Sequence, residues 1–117
     1  MDEAAYKLED HFAGKAPQTG ELYDQIMKIL ESLGPVSVEP KKTCIHLVRR
    51  TALAGITVRK DFVILEFKTD YPIESPALAK TEQISRNRFH HTLKVTSPDS
   101  LTKEVHGWLH DAYELSA

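Results

Sequence analysis

Cysteine is nearly absent from this chain. Cys44 is the only one, which excludes an internal disulfide and suits a reducing compartment. Long apolar runs are missing too. The longest, Phe62-Val63-Ile64-Leu65, is far short of the roughly 20 residues that span a bilayer. The start, Met1-Asp2-Glu3, has no basic stretch followed by an apolar one, so no secretory signal is visible. No Gly-rich phosphate loop, Ser-His-Asp order or carboxylate pair with assignable geometry stands out. A cytoplasmic domain that does not enter a membrane is expected.

What is present is enough for one core. The 117 residues suit a single domain over 1–117. Neither charge sign dominates, with 15 Lys and Arg against 17 Asp and Glu, but the charges are not evenly spread. Residues 1–40 carry three Lys against eight acids, residues 41–95 eleven Lys and Arg against five acids, and residues 96–117 one Lys against four acids. This layout fits a basic central surface offered to an anionic partner. It fits equally well acidic helices over a basic sheet whose charges simply face water.

Hydrophobic spacing divides the chain. Ala5, Leu8 and Phe12 make one stripe of a short helix over 3–12, ended by the breaker Ala13-Gly14-Lys15-Ala16-Pro17. Thr19 is placed to cap a second helix. Leu22, Ile26, Ile29, Leu30 and Leu33 form its core face, and Gly34-Pro35 stops it. Residues 36–96 read as strands. Phe62 to Thr69 is strongly β-prone, Thr69 to Pro76 is a loop, and 78–84 is ambiguous. Arg88 to Thr96 alternates, with Phe89, His91, Leu93 and Val95 inward and Arg88, His90, Thr92 and Lys94 outward. Ser97 as cap with Pro98 at the first position opens a last helix. Leu101, Val105, Trp108, Leu109, Ala112 and Tyr113 form its buried face, and a fully buried Trp108 would cost about 3–5 kcal/mol on truncation to Ala. The strand links look too short for helical crossovers. The expected fold is α+β: two N-terminal helices, a mainly antiparallel sheet of about five or six strands, and a C-terminal helix packed on the sheet.

Three stretches carry a family resemblance: Leu33-Gly34-Pro35 through Glu39-Pro40-Lys41-Lys42-Thr43, then Phe89-His90-His91-Thr92-Leu93-Lys94-Val95-Thr96-Ser97, then Leu101 through Gly107-Trp108-Leu109 to Ala112-Tyr113. Together they resemble a bacterial family, domain of unknown function 5655. The resemblance covers roughly residues 20–115. It divides the chain into an N-terminal helix and breaker over 1–17 and a family-like region over 18–117. It implies no activity. It does imply a His in the late strand, matched by His91, and an aromatic after Pro-Lys-Lys-Thr, where this chain has Cys44.

Several residues are candidates for chemistry. His91 lies between Phe89 and Leu93 on the inward face, where an unsatisfied ring nitrogen would cost about 1–3 kcal/mol. It is either a pocket-lining acid or base or a bonded core histidine. Cys44 and His46 share a strand face, as a nucleophile and its base would, but a thiol in an apolar strand is usually inert. His106 and His110 have zinc-compatible spacing on a helix. Gly107 stands where the metalloprotease pattern needs an acid, and no third ligand is identifiable. No metal, cofactor or catalytic residue is assigned.

The leading expectation is a non-catalytic binding module. Its tentative contact residues are Lys41, Lys42, Arg49, Arg50, Arg88, His90, His91 and Lys94, and its partner is nucleic acid or an acidic protein surface. Tyr71 is a candidate for stacking a base. One alternative is a ligand pocket between the sheet and the last helix, lined by His91, Leu47, Leu65 and Trp108. Another is an enzyme using His91 as acid or base. The chain is expected to be a monomer, or a homodimer if 78–84 is an exposed edge.

Overall fold

A computed structural model describes residues 6–116. It contains α1 (Leu8–Phe12), α2 (Pro17–Glu31), β1 (Ser37–Pro40), β2 (Ile45–Val48), β3 (Ala52–Val58), β4 (Val63–Thr69), β5 (Leu78–Ser85), β6 (Arg88–Val95), a 3-10 turn (Pro98–Ser100) and α3 (Lys103–Leu115). The strands form one six-stranded sheet in the order β1-β2-β3-β4-β6-β5. Every pairing is antiparallel. The architecture is the expected α+β one, with the helices on one face. The expected first helix is shorter at its start, and its residues 3–5 lie outside the described residues.

Strand alternation builds the core. Ile45 and Leu47, Ile56 and Val58, Val63, Leu65 and Phe67, and Leu93 and Val95 are buried on one face. Leu22, Tyr23, Ile26 and Leu30 from α2 and Val105, Leu109, Ala112 and Tyr113 from α3 meet them. Ile29 and Leu33, expected in the α2 stripe, are only partly buried, while Tyr23 and Met27 are buried instead. Between β2 and β3 the register slips. There Val48 pairs with Ala52 and Leu47 with Ala54, which leaves Leu53 as the extra residue of a bulge.

Both expected helix caps move. α2 starts at Pro17, two residues before Thr19. Proline suits the first helical position because its missing N–H would have no partner there. Thr19 is buried, and its hydroxyl donates back to the Ala16 carbonyl at 2.7 Å. The backbone N–H of Ala16 and the side chain of Gln18 tie this start to the β3–β4 turn at Lys60 and Asp61. Ser97 and Pro98 open the 3-10 turn rather than α3. Thr102 caps α3, accepting from the Val105 N–H at 3.4 Å. Trp108 is half-buried rather than buried, and stacks on Phe67 with ring centroids 6.0 Å apart.

The ambiguous segment 78–84 is strand β5. It pairs only with β6 and forms one edge of the sheet, exposed along nearly all its length. Because β6 sits between β4 and β5, the side chains of β4 and β6 face each other although 18 residues separate the two strands.

Candidate functional site

The two faces of the sheet differ in kind. On the covered face, His91 has no exposed surface. Its Nε2 lies 2.8 Å from the Thr69 hydroxyl and its Nδ1 3.1 Å from the Thr81 hydroxyl. The Thr69 hydroxyl donates its proton to the Tyr71 carbonyl at 2.5 Å. It therefore accepts from Nε2–H, and Thr81 donates to Nδ1. The ring is the neutral Nε2–H tautomer with both nitrogens used. Burial lowers its pKa below the ordinary histidine value, the Tyr71 carbonyl partly opposes that, and His90 adds to it.

His91 is thus a bonded core residue. Leu47 and Leu65 are also without exposed surface. Of the residues expected to line a pocket between the sheet and α3, His91, Leu47 and Leu65 are buried and Trp108 is half-buried.

Among the described residues the opposite face carries no helix. Its residues line up by register. Glu39, His46, Gly55, Glu66, Thr92 and Lys80 form one row across all six strands. One step nearer the β5–β6 turn, Lys68 pairs with His90 and His90 with Glu82. In the other direction Thr57, Ile64 and Lys94 align.

The structure scatters the candidate basic residues. Lys41 and Lys42 lie in the β1–β2 turn, where Lys41 pairs with Glu39 at 3.6 Å. Lys94 is at the same end of the sheet, with its ammonium 4.5 Å from the centre of the Phe62 ring. Arg49 and Arg50 lie in the β2–β3 turn at the other end. Arg49 is committed to α3: it donates to the Tyr113 carbonyl at 3.0 Å, lies 4.1 Å over the Tyr113 ring, and pairs with Glu114 at 3.7 Å. The Arg50 backbone N–H donates to the Ser116 carbonyl. Arg88 and Lys94 are six residues apart on one strand, about 20 Å. Tyr71 is no stacking platform. It is half-buried against the core, and its hydroxyl donates to Asp111.

Arg88 and His90 do come together, with a residue the sequence reading left out. Lys68 on β4 lies opposite His90 and beside Arg88 on the uncovered face. Burial pushes the Lys68 ammonium below its ordinary pKa, and the Arg88 charge pushes the same way. Among the described residues no carboxylate forms an ion pair with Lys68 or Arg88. The Arg88 Nη1 donates to the Asn87 carbonyl at 2.8 Å. The signal for Lys68 was the alternation of Ile64, Glu66 and Lys68 against the buried Val63, Leu65 and Phe67.

Lys68 and His90 form one wall of a depression of about 210 Å³ on this face, whose lining also includes Cys44, His46, Gly55 and Glu66. Cys44 and His46 are thus neighbours, as the shared strand face implied. Among the described residues no group of three His, Cys, Asp or Glu is arranged to hold a metal ion. His106 and His110 are exposed on α3. No helix among the described residues is long and apolar enough to cross a membrane.

Comparison with known proteins gives one match. Residues 8–116 fit the family described as Domain of unknown function (DUF5655). The match takes in α1, which the resemblance had left outside. No curated protein and no solved structure matches the chain.

Proposed function

The chain belongs to that family of unknown function, and from this premise we propose that it is a non-catalytic binding module that engages an anionic group on the uncovered face of its sheet. The observation that carries the reading is the convergence of Lys68, Arg88 and His90 on that face with no carboxylate among the described residues paired to the two cations. Two like charges held side by side destabilise each other, and an anion between them removes the penalty. Arg88 offers a planar donor fork and Lys68 a point charge, a combination suited to phosphate or carboxylate.

A local site fits better than an extended polyanion track. Lys41, Lys42 and Lys94 lie at the far end of the sheet, Glu39 and Glu66 stand in the row between, and Glu82 flanks His90 on the edge strand. The partner, nucleic acid, acidic protein or small molecule, presents one phosphate or carboxylate here. The single thiol, Cys44, suits work in the cytoplasm.

The test is an NMR titration of the ¹⁵N-labelled protein with inorganic phosphate at low salt. Saturable shifts at the Lys68, Arg88 and His90 amides are expected, and a Lys68→Gln/Arg88→Gln variant should lose them. Absence of such shifts in the unmodified protein would overturn the reading. Weak salt dependence would support a local site, because a polymer contacting many cations shows a steep salt slope.

A further inference from the structure

Gly55 is a glycine the fold does not require. It sits within β3, paired with His46 on one side and Glu66 on the other. Its φ is not positive. A Cβ built there would meet only the Ile45 carbonyl oxygen, at 3.7 Å, an ordinary contact. Glycine inside a strand weakens it and, where no bulge or bend explains it, marks a place where another group approaches the backbone closely. The bulge of β3 lies at Leu53, not here.

The missing side chain opens the floor of the 210 Å³ depression. His46 and Glu66 stand on the strands either side, two strand spacings or about 10 Å apart at the backbone. Between them lies bare peptide. His90 and Lys68 close the end nearest Arg88, and Cys44 lies at the His46 side. A flat ring fits this slot better than a branched body, because its face can lie on the Gly55 peptide while its edges meet the walls. Glu66 accepts hydrogen bonds only, so the ring edge facing it carries an N–H or O–H donor.

We infer that the Gly55 depression binds a small planar aromatic anion, its ring over the Gly55 backbone, a donor on the ring toward Glu66, and its carboxylate or phosphate held by Lys68 at the end that points toward Arg88. The inference rests on the anion-binding reading above and adds the body of the ligand. It makes this end of the sheet a small-molecule site rather than a polymer track.

Three probes separate the two claims by NMR titration: indole-3-acetate, which has ring, donor and carboxylate; inorganic phosphate, an anion without a ring; and indole, a ring without a charge. Indole-3-acetate should shift the Gly55, Glu66, Lys68 and His90 amides saturably, and more tightly than either partial probe. Gly55→Val should weaken indole-3-acetate at least tenfold while leaving the phosphate-induced shifts at Lys68 and Arg88 in place. Gly55→Ala, whose Cβ the fold accommodates, serves if the valine variant does not fold. It should weaken indole-3-acetate in the same direction. If phosphate binds but indole-3-acetate binds no better, or Gly55→Val and Gly55→Ala leave it unchanged, the ring site is wrong and the anion site stands. If neither anion produces saturable shifts, both fall.

Discussion

Gly34 and Tyr113 touch so closely that neither position can change freely. A Cβ on Gly34 would run into the Tyr113 hydroxyl, and the Gly34 backbone has φ +153°, where side chains are rarely found. The Tyr113 hydroxyl donates to the Pro35 carbonyl at 3.1 Å. The end of α2 is thereby pinned to α3. Gly34→Ala should therefore lower stability by roughly 1–3 kcal/mol in urea unfolding, the usual range for enforced backbone strain. Tyr113→Phe removes the clashing oxygen. The double variant should lose less than the sum of the two single losses, and strict additivity would refute the contact.

Much of this was legible beforehand and some was not, for reasons that separate cleanly. The faces of β4 and β6 follow from alternation, because side chains in a strand must point alternately to core and water. That placed His91 inward and His90 outward correctly. Pairing is different. β6 lies against β4 rather than following β5 across the sheet, and no local signal encodes that choice. The meeting of Lys68 with His90 and Arg88 therefore stayed hidden. The hold of Tyr113 on Arg49 stayed hidden for the same reason, since the two are 64 residues apart. The caps failed differently. Ser97-Pro98 and Thr102 are both good helix starts, and only the 3-10 turn between them decides which one α3 uses.

Gly55 makes the opposite prediction to Gly34. With only the Ile45 carbonyl near and no positive φ, Gly55→Ala should leave stability unchanged or raise it by up to about 1 kcal/mol, the backbone entropy that glycine loses on folding. Thermal unfolding of the two alanine variants side by side decides it. A large loss at Gly55 would show that the strand itself needs the glycine, and would remove the argument that a ligand does.

Thr102 should matter more than Ser97. Its side chain accepts from Val105 N–H, and Val105 is fully buried. Thr102→Ala should cost about 0.5–2 kcal/mol, the usual range for a lost helix cap. The Ser97 side chain makes no cap bond, so Ser97→Ala should cost less. Chemical denaturation that ranks the two the other way would move the start of α3 back to Ser97.

Trp108 should cost less than a core tryptophan. It is half-buried, one side against Phe67 and the other toward solvent. Trp108→Ala should fall below the roughly 3–5 kcal/mol seen for fully buried aromatics. Its fluorescence should be quenched by acrylamide in the folded protein. A blue-shifted, unquenchable emission would mean that α3 is turned further toward the sheet.

His91 should make the protein acid-sensitive. Burial lowers its folded pKa below the value near 6.5 of a free histidine. Its neutral ring donates Nε2–H to Thr69 and accepts a hydrogen bond from the Thr81 hydroxyl at Nδ1, so protonation at Nδ1 puts a charge in the core and makes Thr81 turn from donor to acceptor. A group whose folded pKa is depressed contributes its full stability above the unfolded pKa. That contribution falls as pH drops below about 6.5, because the unfolded chain then binds a proton the folded chain does not. The loss continues, at no more than about 1.4 kcal/mol per pH unit, until the folded pKa is reached. Urea unfolding from pH 7.5 to 5 should show it, and His91→Gln should flatten that part of the profile even though it is less stable throughout. An unchanged slope in the variant would assign the acid sensitivity to other groups and leave His91 free to titrate in the fold.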